Sequence, residues 1–317
     1  MRRIPTGAVL LVASAMPATA DEGGSSIWIP GQYASFAAVP GDPGFSLETV
    51  FFVGNGSASQ GTTFPRGGRL LSGTSDNQWY AYTTPTWTFE DPVLAGQLAV
   101  GVTFSLGGDD VFVSNVFTSR DGRARGTSGA DSVTGVSDLY PSASLKWTVG
   151  RHNVMAYLMG SVPTGAYDPN RLAGVGAGHW AIDWGTAYTF LSGKYEFSLT
   201  AGTTYNFVNP STQYQSGMDG HLDFGTSYAL TPSAYVGAVG YFFDQLSPDT
   251  GGPLELGGFY SRVAGAGPQV GWSFAAGPVA LDVNLRGYKE FASQNRPEGW
   301  NAWLTVSLSP AKRKGQP

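Results

Sequence analysis

Apolar and polar residues alternate at period two along most of this chain. Between Gln97 and Leu106 the even positions are Leu98, Val100, Val102, Phe104 and Leu106, while the odd ones are Gln, Ala, Gly, Thr and Ser. That is the pattern of a strand with one apolar face. It recurs over Tyr195–Phe207 and Val279–Leu285, and the last strand sets Trp300, Ala302, Leu304, Val306 and Leu308 against Asn301, Thr305 and Ser307. Twelve strands are predicted, at 45–53, 78–89, 97–106, 138–148, 153–162, 180–190, 195–207, 218–229, 233–245, 262–274, 278–291 and 299–309. Long connections (54–77, 107–137, 163–179, 208–217, 246–261 and 292–298) alternate with short ones (90–96, 149–152, 191–194, 230–232 and 275–277). Short turns on one rim and long loops on the other predict an all-β fold, a transmembrane antiparallel up-and-down β-barrel of about twelve strands whose short turns and chain ends are periplasmic.

Aromatic positions give a second, independent pattern. On the apolar faces Trp79, Phe104, Trp180, Phe207, Phe243 and Trp300 fall near the long-loop ends, and Trp87, Trp147, Phe190, Tyr195, Tyr228, Tyr235 and Trp272 near the short turns. Two such bands are expected where strands cross the two membrane interfaces. A soluble barrel or propeller, with apolar faces turned inward, gives no reason for banding by height.

Composition agrees. The 317 residues include 45 Gly, 15 Tyr, 18 Phe and 9 Trp, with only 13% charged, which opposes helical, coiled-coil or disordered readings. With no cysteine, disulfide scaffolds, thiol enzymes and cysteine-ligated zinc are excluded. Arg2 and Arg3, the apolar run Ala8–Ala13 and Ala18-Thr19-Ala20 read as a signal peptide at 1–20, exporting a chain that starts at Asp21. Loss of the two arginines lowers the basic count from 18 to 16 against 23 acidic residues, a net charge of −7, which disfavours nucleic acid as a partner. No later run of 18 apolar residues exists, so a helical span is excluded.

If the apolar faces of a barrel at 45–309 meet outer-membrane lipid, the opposite faces line the lumen. Its predicted charged groups are Glu48, Lys146, Asp183, Glu196, Asp219, Asp223, Asp244, Asp282, Arg286 and Glu290, eight acidic and two basic, a balance that favours cations in an open lumen. Alternatively these groups plug the lumen among themselves, as Arg286 with Asp282 or Glu290. Tyr80, Tyr82, Met155, Tyr157, Met159, Val236 and Phe242 are expected to turn inward too, an adaptable surface for apolar or aromatic ligands or for packing against a plug. The segment 21–44 carries Ile27, Trp28, Ile29, Tyr33 and Phe36, too apolar to hang free, and is expected to tuck into the lumen; a periplasmic tether is the alternative. Residues 310–317 form a basic tail.

Catalytic signals are sparse. Asp219, His221 and Asp223 share a face at the spacing that a metal or an acid–base pair would use, yet no nucleophile accompanies them, so no catalytic residue, metal or cofactor is assigned. Asp109, Asp110 and Asp249 read as solvated turn carboxylates.

Several stretches resemble a known family. Asp21-Glu22-Gly23-Gly24 with Trp28 and Pro30, Val39-Pro40-Gly41-Asp42-Pro43-Gly44, Gly135-Val136-Ser137-Asp138-Leu139 leading to Ala143–Trp147, Pro163–Asp168, Asn209–Gly217 and Tyr241–Asp249 occur in the order found in outer-membrane proteins associated with the meta pathway of phenol degradation. The resemblance implies a barrel that admits hydrophobic or aromatic compounds, and it brings no catalytic residues. It also implies the barrel-assembly machinery as a partner, although the terminal aromatic residue that outer-membrane barrels commonly carry is replaced here by Leu308-Ser309-Pro310 and the tail. The leading expectation is therefore a passive channel for small apolar or aromatic molecules. The alternatives are an outer-membrane hydrolase around His221, or a structural or adhesive barrel binding through loop 107–137 with Arg120, Arg123, Arg125, Asp121 and Asp131.

Overall fold

The computed structural model describes residues 26–63, 69–251 and 260–311. The predicted signal peptide at 1–20, the first residues of the mature chain and the tail beyond Ala311 lie outside the described residues. Thirteen strands run in chain order: β1 (Gly44–Thr63), β2 (Arg69–Thr88), β3 (Gln97–Thr118), β4 (Ala124–Val136), β5 (Tyr140–Val149), β6 (His152–Ser161), β7 (Ala181–Ser192), β8 (Tyr195–Asn206), β9 (Asp219–Thr231), β10 (Ala234–Gln245), β11 (Arg262–Ala276), β12 (Val279–Gln294) and β13 (Glu298–Pro310). All pairings are antiparallel, and β1 pairs with both β2 and β13, which closes the sheet on itself.

The ring has twelve places because β4 and β5 share one. β5 pairs with the lower part of β3, from Gln97↔Lys146 to Thr103↔Tyr140, and β4 with its upper part, from Leu106↔Val136 to Thr118↔Ala124. Between them Ser137–Leu139 leaves the ladder, although the Ser137 amide still donates to the Ser105 carbonyl. Two connections expected to be loops are thus largely strand. Residues 54–63 pair with 69–78, and 107–118 with 124–135. Gly, Ser, Thr, Asn and Asp recur on both phases of these segments, because above the membrane neither face meets lipid and no alternation is required.

Between the aromatic bands the outer face is apolar. Trp79 and Trp87 on β2 mark the belt, eight residues apart, or about 26 Å of strand and about 20 Å of height once tilted. Phe51, Phe104, Trp184, Phe197 and Leu285 project outward between or at these levels and are exposed. Below, two-residue turns begin with Gly150, Gly193 and Gly277, each at a left-handed φ near 60° that tight hairpins require and a Cβ disfavours.

The alternation misassigned β10. Val236 and Phe242 point outward, 38% and 41% exposed, whereas Phe243 is fully buried and Tyr235, Val239 and Tyr241 share its inward face. Asp244 also lies outside the lumen, paired with Arg262 at 2.9 Å. Both faces of Ala234–Gln245 are apolar, so hydrophobicity carries no phase there. The neighbour does: Phe243 stands opposite His221 and Tyr241 opposite Asp223, on the polar, inward row of β9.

Glycine and aromatic residues meet across the ladders. Tyr80 lies directly opposite Gly107, Tyr235 opposite Gly271 and Tyr241 opposite Gly265. A Cβ on Gly107 would sit 2.1 Å from the Tyr80 ring, so the ring lies flat on bare backbone. Gly107→Ala should therefore destabilise the barrel by about 1–3 kcal/mol through overpacking, read as a lower urea midpoint in vesicles. In a Tyr80→Ala background the same change should cost much less.

Candidate functional site

The lumen is occupied by the segment that precedes β1. Trp28 is fully buried, its indole stacked on the His221 imidazole with centroids 3.7 Å apart, and Ile27, Ala38, Met155, Tyr157 and Met159 pack in the same cluster. Polar wall groups bind the segment's backbone. The Gly31 and Tyr33 amides donate to the two Asp223 oxygens at 3.1 and 3.2 Å, the Phe36 amide donates to Glu196 at 3.0 Å, and the Ala38 amide to Thr189 at 3.1 Å. From β12, Arg286 donates to the Gly31 and Gln32 carbonyls at 3.3 and 3.2 Å, its guanidinium over the Trp303 ring. Lower down, Lys146 donates to the Val39 carbonyl at 3.0 Å and Gln97 to that of Gly41 at 2.8 Å. The segment's own turns answer the Gln32 and Val39 amides, at the Ile29 and Phe36 carbonyls, and the wall's carboxylates and hydroxyls answer those of Gly31, Tyr33, Phe36 and Ala38.

The predicted polar residues therefore fall into different environments. Asp183 accepts from Thr204 at 2.6 Å and contacts His221 Nε2 at 2.9 Å; Asp219 accepts from Asn206 at 3.0 Å; Glu196 accepts from Ser227 at 2.9 Å. These three and Asp223 are buried. Arg286 bonds to Asn284, Thr305 and the inner segment rather than to Asp282 or Glu290; Asp282 accepts from Ser273 at 2.5 Å near the short-turn rim, and Glu290 accepts from Tyr241 at 2.8 Å. Glu48 is exposed to the lumen and accepts from Ser307 at 2.8 Å. His221 has its ring face covered by Trp28 and its Nε2 held by Asp183, with the Tyr157 hydroxyl at 3.3 Å. Among the described residues no group of three His, Asp or Glu side chains is arranged to hold a metal ion.

The segment leans on β6–β12 and leaves space along β1, β2, β3 and β5. An upper cavity of about 260 Å³ reaches from Phe52, Asp76, Gln78 and Tyr80 to Glu290 and Arg296. A lower one of about 450 Å³ lies among Glu48, Val50, Thr84, Thr103, Lys146 and Met155. Both are walled by Ile27, Ile29, Tyr82 and Tyr140, so these four form the neck between them. Tyr80 and Tyr82 stack at 5.3 Å, and Phe52 meets Trp303 edge-on at 4.9 Å, which makes this side of the passage aromatic. Tyr235, expected in the outer band, turns inward with Tyr241, and Phe52, Tyr288 and Trp303 escaped the sequence reading because an inward aromatic among polar neighbours has no hydrophobic stripe to mark it. Their position on the polar phase of each strand is the signal that could have found them.

A strap at 162–180 crosses the upper mouth, held by three carboxylates. Asp138, in the break between β4 and β5, accepts from the Gly165 and Ala177 amides at 2.8 and 2.9 Å. Asp131 on β4 accepts from Arg171 at 2.6 Å and from the Leu172 and Ala173 amides at 3.0 and 3.2 Å; the guanidinium and these amides hold its carboxyl well below the usual range. Asp109 accepts from the Gly174 amide at 2.9 Å. Thus Asp109 and Asp131 are strap anchors rather than solvated loop carboxylates, and Asp249 likewise binds Gly217 and Gln245 at 2.8 and 2.6 Å. Arg123 pairs with Asp121 at the exposed β3–β4 tip.

The family model described as "Putative MetA-pathway of phenol degradation" matches residues 55–306. Among solved structures, the COG4313 outer membrane channel from Pseudomonas putida F1 superposes with a TM-score of 0.59 at 15% identity, covering 88% of this chain and 100% of that one. OccK7 (OpdD) from Pseudomonas aeruginosa gives a TM-score of 0.31 at 11% identity, covering 85% and 99%. No curated protein matches the chain.

Two measurements probe this site. Asp223→Ala leaves the Gly31 and Tyr33 amides without their acceptor, and hydrogen bonds to charged groups contribute about 1.5–3 kcal/mol; hydrogen exchange at both amides should accelerate at least about tenfold. At the mouth, above the Trp79 band, burial and the adjoining Asp109 push Asp76 up to about 8 from 3.8. A carboxyl raised in the folded state contributes stability that is complete below pH 3.8 and is drained as pH climbs to about 8. Exchange at Gly174, corrected for its intrinsic rate, should therefore rise across that window, and Asp76→Asn should flatten the profile.

Proposed function

Since the chain belongs to the family of the phenol-degradation meta pathway, we propose that it is an outer-membrane channel admitting small apolar or aromatic molecules. The observation that carries this reading is the continuous aromatic side of the passage, in which an upper and a lower cavity meet at a neck of Ile27, Ile29, Tyr82 and Tyr140. Most acids of the lumen are engaged by the inner segment or by wall side chains, so rings and hydroxyls dominate the path along β1–β5, with Glu48 and Lys146 as the charges of its lower part. Met155, Tyr157 and Met159 border it with adaptable surfaces. A lower cavity of about 450 Å³ is of the size that small-molecule sites use.

Export through the predicted signal peptide and insertion by the assembly machinery belong to the same reading, with lipid as the partner of the outer belt. No catalytic step is assigned. The one histidine beside an aspartate in the lumen is stacked under Trp28, and a hydrolase would need that ring accessible. The fold shared with the Pseudomonas putida channel supports a barrel of this kind, and the aromatic preference rests on the lining of the passage.

Purified protein in planar bilayers should give small, discrete conductance steps. Ile27→Gly with Ile29→Gly should enlarge them severalfold by widening the neck, and millimolar phenol should reduce the current reversibly. A deletion strain should grow more slowly on limiting aromatic carbon. Absence of conductance in both wild type and the widened variant would rule out a channel.

A further inference from the structure

The two cavities differ in their balance of charge: with Asp76 keeping its proton near neutral pH the upper one is even, while the lower one has an excess of cations. Asp76, Asp168 and Glu290 stand against Arg171 and Arg296 around the upper one, whereas the ionisable acids and bases around the lower one are Glu48, Lys146 and Arg286. The acidic total of the lumen, which suggested cation preference, therefore reverses below the neck.

The two lower cations are not equivalent. Arg286 spends its donors on Asn284 and Thr305 at 3.0 and 3.1 Å and on two carbonyls of the inner segment, with Trp303 against its face. Lys146, on β5 at the far side of the cavity, donates to one backbone carbonyl, that of Val39. An ammonium has three donors, so Lys146, which lines this cavity, has donor capacity beyond that bond. Within the same lining lie Tyr82, Tyr140, Met155 and Met159, flat rings and thioethers that suit an aromatic face. Glu48 is the one carboxylate in this lining, and its hydrogen bond from Ser307 directs part of its charge to β13.

We propose that the lower cavity is a binding station for an aromatic ring bearing a single anionic oxygen group, with Lys146 taking the anion and the Tyr82–Met155 side taking the ring. This rests on the channel reading and refines it: neutral rings can pass the neck, but an aromatic carboxylate dwells below it. Lys146 is then the residue that sets selectivity between charged and neutral forms of one ring size. Removing Glu48's charge should strengthen the same site, because it is the group that competes for the lysine.

The test is equilibrium dialysis of radiolabelled benzoate and benzyl alcohol against the full chain in detergent, which reads binding separately from conductance. Benzoate should bind about tenfold more tightly than benzyl alcohol, the scale of one charge-assisted hydrogen bond. Lys146→Met should abolish that ratio while leaving benzyl alcohol binding within twofold, Lys146→Arg should keep it, and Glu48→Gln should raise it. Retained benzyl alcohol binding in Lys146→Met also shows that the cavity is still formed. Equal binding of the two compounds by the wild type, a ratio untouched in Lys146→Met, or no binding of either would overturn the proposal. Loss of conductance with benzoate binding intact would instead count against the channel alone.

Discussion

Asp223 on β9 and Arg286 on β12, three strands apart on one wall, both reach into the lumen, and the backbone of Gly31–Tyr33 is held by the two, amides on the carboxylate and carbonyls on the guanidinium. Neither charge could stay buried without such partners, since an unpaired ion in a low-dielectric interior costs several kcal/mol. Nor could the segment stay there without them, because a chain that joins no ladder leaves amides such as those of Gly31 and Tyr33 in need of an acceptor. The two requirements are met at once. Everything downstream follows from which wall carries these groups: the segment is drawn to β6–β12, and the remaining lumen becomes a passage along β1–β5.

Much of the barrel was legible in the residues. Period-two alternation located the ring strands, and the inward row of β9 was marked by Asp219, His221 and Asp223. What failed were places where alternation has no physical cause. Above the membrane, Gly54–Thr63 and Ala124–Val136 meet no lipid on either face, carry Gly, Ser and Thr at both phases, and look like loops. In β10 both faces are apolar, one for lipid and one for the packed lumen, so the phase of Val236 and Phe242 was a coin toss that Phe243 and Tyr241 decided the other way. The site was half legible: the inner segment announced itself through Trp28 and its neighbours, but its choice of wall depends on three-dimensional pairing between residues about 190 and 255 positions apart in sequence.

The unusual composition has a local meaning too. Glycine and aromatic residues are abundant together because they serve as two halves of one packing unit, a ring on one strand laid over the bare backbone of the next. This holds the rings close to the wall, where upright they would take up more of the lumen.

The ring is sealed by β1 against β13, from Leu47↔Leu308 to Ser57↔Glu298, and β1 begins at Gly44, directly after the segment that fills the lumen. The strand that closes the seam thus carries the lumen's contents on its own leading end. Folding therefore faces an ordering problem that an empty ring does not have: if the β1–β13 ladder zips first, Trp28 must then thread in through the mouth of a finished ring. Cargo first and lid second is the sequence of events that the connectivity favours, so the bonds of Asp223 and Arg286 shape the path of assembly as well as its endpoint.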